Sequence, residues 1–309
     1  MEHRQSSVQT IRQPAYTALL VDSMDRYTDG YPSDVNSQTS SSNWTLQSAQ
    51  YVLNGYFTRL ALTSIQFFWN LPTIVSGYNN HFAFLFSDVG FTDIQIPTGW
   101  YTPTTLGAAI VAWSNGTGPD DAPLTGFTCS VNALTGVLTF GYGSAFSIPK
   151  PSLTPAGSRS IPAILYARSQ QTAGIVPGTA VSGSGSYSII GAVPTMLPTR
   201  FINVESKYLT KYQRVKDSST LTNGQSTNIL CRVNAFAPGT RTPWPPSGTA
   251  TDTPFVIAID FATTKLINWQ PDEIISNFDV SLTDEYGTIL PWTPAWGCEY
   301  SFTLIASET

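Results

Sequence analysis

Across 309 residues only 11% are charged, 41% are hydrophobic and 12% aromatic, and the net charge is −5. The length suits one large β domain or two smaller ones, and the acidic balance excludes a nucleic-acid-binding face as the main business, because neutralising phosphates takes a net basic surface. Soluble proteins usually carry about 25% charged residues, so this composition suits either a protein that buries much of itself against partners or a secreted all-β protein with a Ser/Thr surface.

No apolar segment opens the chain and no apolar run approaches the ~18 residues of a membrane span, so neither a signal peptide nor a transmembrane segment is expected. Cys129, Cys231 and Cys298 are odd in number and lie in strand-like contexts. They read as small buried hydrophobes in a reducing compartment. Without a secretory signal, the sequons Asn43-Trp44-Thr45 and Asn115-Gly116-Thr117 read as chance matches.

Residues 1–14 are polar and aperiodic and read as a flexible N-terminal arm. Tyr16 to Val21 is a short strand ended by Asp22 to Arg26, and Tyr27 to Ser42 is a surface loop rich in Asp, Ser, Pro and Gly. Trp44 to Leu53 reads as a strand feeding a long apolar run, Tyr56 to Trp69. The stretch Asn54 to Trp113 is the seed around which the rest of the sheet is expected to wrap. In its first strand Leu60 and Leu62 share one parity, whereas Ile65, Phe67 and Trp69 share the other. Either the phase slips once at Thr63-Ser64, as a β-bulge or bend, or the strand is buried on both faces.

His81 to Phe86 is a second strand. Thr102-Pro103 begins a helix, since threonine caps free amides and proline suits the first helical position. Leu106, Ile110 and Trp113 make its apolar stripe, and Ser114-Asn115-Gly116 ends it. Phe127 to Val131 and Val137 to Tyr142 form a hairpin. Lys150 to Pro198 has Pro and Gly at short intervals, a short helix near Ile161 to Arg168 and the tract Gly183-Ser184-Gly185-Ser186. It reads as a long exposed excursion from the sheet. Strand patterns return at Arg200 to Glu205 and at Asn228 to Ala235, with Ile229, Cys231, Val233 and Ala235 on one face. Phe236 to Thr253 is a further Pro/Gly/Thr loop. Alternation then runs through Phe255 to Phe261 and Ile274 to Thr283, Asp284 to Gly287 make a turn, and Tyr300 to Ala306 is the closing strand. Short strands spaced by turns along the whole length give an all-β sandwich or barrel.

No constellation for chemistry stands out. A Ser-His-Asp hydrolase would have to use His81, and no G-x-S-x-G elbow accompanies it. The cysteines are too far apart for closely spaced zinc pairs. The carboxylate pairs Asp120-Asp121, Asp272-Glu273 and Asp284-Glu285 lie in turns, where acidic residues serve local hydrogen bonding. Lys207, Lys211, Arg214 and Lys216 make a basic cluster, read as a solvated face or as a contact with an acidic neighbour. No catalytic, cofactor-binding or metal-binding residue is therefore expected.

Several segments, in order, carry a resemblance. They are Leu19 to Arg26, Leu60 to Pro72, Asn79-Asn80, Ile96-Pro97-Thr98-Gly99-Trp100-Tyr101-Thr102, Phe127 to Phe140, Leu197 to Ile202, Phe278 to Gly287 and Tyr300 to Leu304. In this order the chain resembles the minor capsid, or penton, proteins of virophages, Polinton-like viruses and related icosahedral double-stranded DNA viruses. The I-P-x-G-x-Y-T segment is the most specific piece, although Trp100 fills a position that is often polar.

The resemblance implies one jelly-roll domain over residues 15–309, an antiparallel β-sandwich with one short helix and insertions at 150–198 and 236–253. It also implies a non-enzymatic homopentamer at the vertices of a virion capsid, in contact with the major capsid protein, with outward loops able to meet the host surface. A non-vertex minor capsid or spike-base protein is the nearest alternative. A carbohydrate-binding or glycan-cleaving β-sandwich used in host attachment is the alternative of another class.

Overall fold

The computed structural model describes residues 16–26, 40–47, 52–53, 55–86, 90–117, 126–132, 134, 137–147, 181–183, 186–190, 198–199, 201–213, 228–235, 255–271, 273–285, 287–293 and 295–308. In chain order the elements begin with β1 (Tyr16–Asp22), β2 (Asn43–Gln47), β3 (Arg59–Asn70), β4 (His81–Phe86), β5 (Gly90–Gln95), helix α1 (Pro103–Ala112), β6 (Thr128–Val131), β7 (Leu138–Tyr142) and β8 (Phe146–Ser147). They continue with β9 (Val181–Gly183), β10 (Ser186–Ile190), β11 (Phe201–Glu205), β12 (Ile229–Asn234), β13 (Phe255–Asp260), β14 (Leu266–Asn268), β15 (Asn277–Thr283) and β16 (Gly297–Ser307).

Two antiparallel sheets make the body of the molecule. One has the order β1-β16-β3-β13, with β14 also on β3, and the other the order β12-β11-β15-β2. Reading only their main strands in chain order, the first, third, sixth and eighth share one sheet and the second, fourth, fifth and seventh the other. This alternation is the jelly roll. Strand alternation turns one row of each sheet inward. Phe67, Trp69, Tyr300, Phe302, Leu304 and Ile257 from one sheet meet Ile202, Val204, Val233, Phe278, Val280 and Leu282 from the other in a single buried cluster. Trp44 Nε1 donates to the Tyr300 hydroxyl across that core at 2.7 Å.

The parity conflict in β3 is resolved by a bulge. Thr303 pairs with Ser64 and Leu304 with Leu62, so Thr63 is the extra residue. Leu60, Leu62, Ile65, Phe67 and Trp69 are consequently all buried, while Phe68 is exposed. On the other side of β3 the neighbour breaks at the same level: β13 ends opposite Ser64 and β14 resumes opposite Ala61. A second bulge leaves Leu230 without a partner on β11, since Val204 pairs with Cys231 and Glu205 with Ile229. The regular alternation expected for β12 is corrected accordingly: Leu230, Val233 and Ala235 enter the core, and Cys231 only packs against its margin.

Between β3 and β11 the chain leaves the sandwich and builds a second hydrophobic cluster, with Ile74, Phe82, Ile94, Leu106, Ile110, Phe127, Leu138 and Phe140 inside. The helix expected as part of the seed packs here. Hydrophobic pattern alone does not say which of two cores a segment joins. Thr102 caps α1: its Oγ1 accepts from Thr105 N at 3.0 Å, and its own N donates to Thr105 Oγ1 at 2.7 Å. Gly107 lets α1 approach β6, because a Cβ there would lie 3.0 Å from Cys129 Sγ. The expected hairpin of β6 and β7 is present, and β10 adds to its far edge.

This departure starts well before Lys150. Of the Gly-Ser tract, read as flexible, Gly183 and Ser186 are instead paired across the β9–β10 ladder, and residues 184–185 lie outside the described residues. Small residues without strand propensity hid a ladder made by backbone groups. The expected arm at 1–14, the helix near Ile161 to Arg168 and the insertion at 236–253 lie outside the described residues.

Candidate functional site

The junction between sandwich and second cluster is held by a dense set of side-chain hydrogen bonds. It starts where β3 ends. Asn79 ties the turn together, its Oδ1 accepting from Val75 N at 2.7 Å and its Nδ2 donating to Thr73 O at 2.9 Å. Asn80 Oδ1 accepts from Gly77 N at 2.9 Å. Ile74 bridges to Gly99, which brings the Ile96 to Thr102 segment alongside. Within that segment Trp100 packs on the margin of the sandwich core, and Tyr101 packs on the margin of the second cluster. One short stretch therefore touches both cores.

Tyr78 reaches from this turn into the sandwich. Its hydroxyl donates to Asp284 Oδ2 at 2.8 Å. Asp284 Oδ1 accepts from Thr288 N at 2.9 Å, and Asp284 O accepts from Asn203 Nδ2 at 3.1 Å. Nearby, Thr283 donates to Glu205 Oε1 at 2.6 Å and Thr199 to Glu285 Oε2 at 2.7 Å. Gly287 closes the turn with φ 77°, a left-handed value that suits glycine. Asp284 and Glu285, read as turn acids, do sit in a turn and Asp284 does bond locally. They are nevertheless buried, unlike the exposed turn that their composition suggests. Buried carboxylates persist where hydrogen bonds satisfy them.

The basic cluster resolves differently. Lys211 contacts Glu273 as an ion pair, and its Nζ lies 4.0 Å from the Tyr208 ring centroid and 5.0 Å from those of Tyr212 and Trp269. Ammonium over aromatic faces is electrostatically favourable. Tyr212 also donates to Glu273 Oε2 at 2.5 Å. Burial alone would raise the Glu273 pKa, but the hydrogen bonds from Lys211 and Tyr212 outweigh it and hold the carboxyl below its ordinary value. Burial would lower the Lys211 pKa, and the Glu273 hydrogen bond reverses this and raises it. The turn carrying Lys211 is anchored by Asp279, which accepts from Lys207 N at 3.0 Å and Tyr208 N at 2.9 Å. The acidic neighbour of Lys211 thus belongs to the same chain. Lys207 is exposed, and Arg214 and Lys216 lie outside the described residues.

His81 stands in β4 opposite Gln95. Asp120, Asp121 and Asp272 are outside the described residues. Among the described residues, no three His, Cys, Asp or Glu side chains gather in a way that could hold a metal ion, and no helix is long and apolar enough to cross a membrane. The three cysteines are free thiols, and burial pushes each of their pKa values up to about 12. The described side chains form clasps and anchors, which hold elements in place.

No protein-family model matches the sequence, and no curated protein is similar to it. Among solved structures, the chain is similar to the mavirus penton protein, with a TM-score of 0.47 and 12% identity over 96% of this chain and 100% of that one. It is also similar to a chain of the Sputnik virophage structure solved by cryo-EM, with a TM-score of 0.43 and 12% identity over 96% of this chain and 98% of that one.

Proposed function

We propose that this chain is a structural capsid protein, a penton subunit that forms a homopentamer at the fivefold vertices of an icosahedral double-stranded DNA virus and contacts the major capsid protein there. The reading rests on the sequence resemblance, and one observation in the fold supports it above the others. Most of the segments that carry the resemblance form the frame of the jelly roll and its junction, while Phe127, Leu138 and Phe140 belong to the second cluster. Leu19 to Arg26 is most of β1 and its turn, Leu60 to Pro72 is β3, and Phe278 to Gly287 is β15 and the buried turn. Asn79, Asn80 and Ile96 to Thr102 knit the insertion to the sandwich. Residues used this way serve a rigid, non-catalytic part.

A closed ring needs a heterologous interface, one patch meeting a different patch on the neighbour. The mass of the purified protein across a concentration series, by light scattering, tests the reading. A species of five times 33.5 kDa is expected. A stable dimer or trimer overturns the vertex assignment and moves weight to a spike base or a glycan-binding sandwich.

A further inference from the structure

The place where Lys211 rests is built more fully than an ion pair requires. Its Nζ lies within 5.0 Å of three ring centroids, those of Tyr208, Tyr212 and Trp269, and Glu273 supplies a carboxylate beside them. The rings stand against one another as walls. Tyr208 and Trp269 have centroids 5.7 Å apart with their planes at 51°, and Tyr212 meets Trp269 edge-on at 5.6 Å and 80°. Three aromatic rings and a carboxylate around one cation make the kind of cage that takes quaternary ammonium groups.

The walls are set without the lysine. Trp269 belongs to the sandwich core, and Tyr208 and Tyr212 pack against its margin. Glu273 ties all three together. The Tyr208 and Tyr212 hydroxyls donate to its carboxylate at 3.4 and 2.5 Å, and Trp269 Nε1 donates to its carbonyl oxygen at 3.1 Å. The turn that carries Lys211 is likewise held without that side chain. Leu209 is fully buried, its N donates to Ser206 Oγ at 3.1 Å, and Thr210 Oγ1 donates to Ser206 O at 2.6 Å. Lys211 can therefore swing out while the cage stands. Its side chain is 29% exposed and that of Glu273 is 26%, and ion pairs open to water hold weakly. A lysine ammonium is strongly hydrated and carries three donors, which ring faces satisfy less well than water does. A trimethylammonium group has no donor to leave unsatisfied, and its methyl groups suit the rings.

We propose that this cage is a binding site for a trimethylammonium group, such as that of choline, and that Lys211 is a resident cation which the ligand displaces. The site does not depend on the assembly reading, and the two can fail separately. Glu273 supplies the opposite charge and the rings supply the contact. Displacing the lysine costs part of the affinity, because the ligand binds only the fraction of molecules with the cage vacant.

The test is a titration of the full chain with choline, followed by ligand-detected NMR, with the uncharged isostere 3,3-dimethyl-1-butanol as control. Wild type should bind choline saturably in the millimolar range and the isostere at least about tenfold more weakly, since the attraction is to the charge. Lys211→Ala should bind choline about tenfold more tightly, the resident cation being gone. Tyr208→Leu with Tyr212→Leu should abolish binding. Should that pair impair folding, Glu273→Gln keeps the shape and should bring choline down towards the isostere. Pelleting with phosphatidylcholine but not phosphatidylglycerol vesicles assigns the group to a lipid headgroup, and choline binding without it assigns a soluble ligand; either upholds the site. No saturable choline binding by wild type overturns the proposal, even if Lys211→Ala binds. Equal binding of choline and the isostere also overturns it, as does choline affinity unchanged in Lys211→Ala or in the cage variants.

Discussion

Deleting Thr63 should cost little, although it shortens the longest strand of the sandwich. β3 spends twelve residues against the eleven of β16, and Thr63 is the surplus. Without it, Ser64 follows Leu62 directly, and Leu60, Leu62, Ile65, Phe67 and Trp69 fall on one parity with every pairing to β16 kept. What is lost is the hydrogen bond from Phe261 N to Thr63 O at 2.8 Å and a long one from Thr63 Oγ1 to Thr303 O at 3.4 Å. At about 0.5–1.5 kcal/mol each, the cost is about 1–3 kcal/mol. Deleting Gln66 also lets the bulge flatten and the ends keep register, but Ser64 then faces the core and Ile65 faces out. Replacing a buried isoleucine by so small a side chain adds about 2–5 kcal/mol, against a total stability of about 5–15 kcal/mol. Urea unfolding of the two deletions reads the difference as a shift in midpoint. Deleting Ser64 should match deleting Thr63. If the Thr63 and Gln66 deletions agree within about 1 kcal/mol, the bulge is not what reconciles the two parities.

Three further outcomes are expected. Trp44→Phe and Tyr300→Phe should each destabilise by about 1–3 kcal/mol, because each strands a buried partner of the 2.7 Å bond between the sheets. The double variant should cost less than the sum, measured as a double-mutant cycle in urea. For the Lys211–Glu273 pair, the lowered carboxyl pKa gives stability that is present above the ordinary carboxylate range and lost as pH falls through the folded value. The raised lysine pKa gives stability present below the ordinary lysine value and lost as pH climbs past the folded one. Glu273→Gln should therefore shrink the fall in stability on the acid side of pH 5, read from unfolding curves between pH 3 and pH 6. Finally, thiols held at about 12 expose almost no thiolate near neutrality. Alkylation at pH 8 should leave Cys129, Cys231 and Cys298 unmodified in the native protein and label all three in urea, by mass spectrometry.

What could be read from the sequence was what short-range physics fixes. The bulge showed as a clash of parities between Leu62 and Ile65, the helix start as Thr102-Pro103, and the β6–β7 hairpin as two alternating runs about a turn. What could not be read was long-range. Trp269 and Glu273 lie some sixty residues from Lys211, and nothing local pairs them. Asp284 and Glu285 have the composition of an exposed turn, and it is distant hydroxyls, those of Tyr78 and Thr199, that show them facing inward. The slip at Leu230 was invisible because Ile229, Leu230 and Cys231 are apolar in either phase. The split into two cores was hidden for the same reason: β3 and β4 are both apolar, and period alone does not assign partners.

The placement of β16 has a consequence for synthesis. It lies between β1 and β3, pairing Tyr16 with Ser307 on one side and Arg59 with Ser307 on the other. Emerging from a ribosome, β1 waits through nearly the whole chain for its only neighbour in the described ladder. Topologies closed by such distant pairs fold slowly, with apolar edges open meanwhile. A chain cut short before Gly297 lacks the seam that joins the earliest strand to the rest. Synthesis through β16 thereby becomes a checkpoint: only chains that carry it can close the sheet around β1.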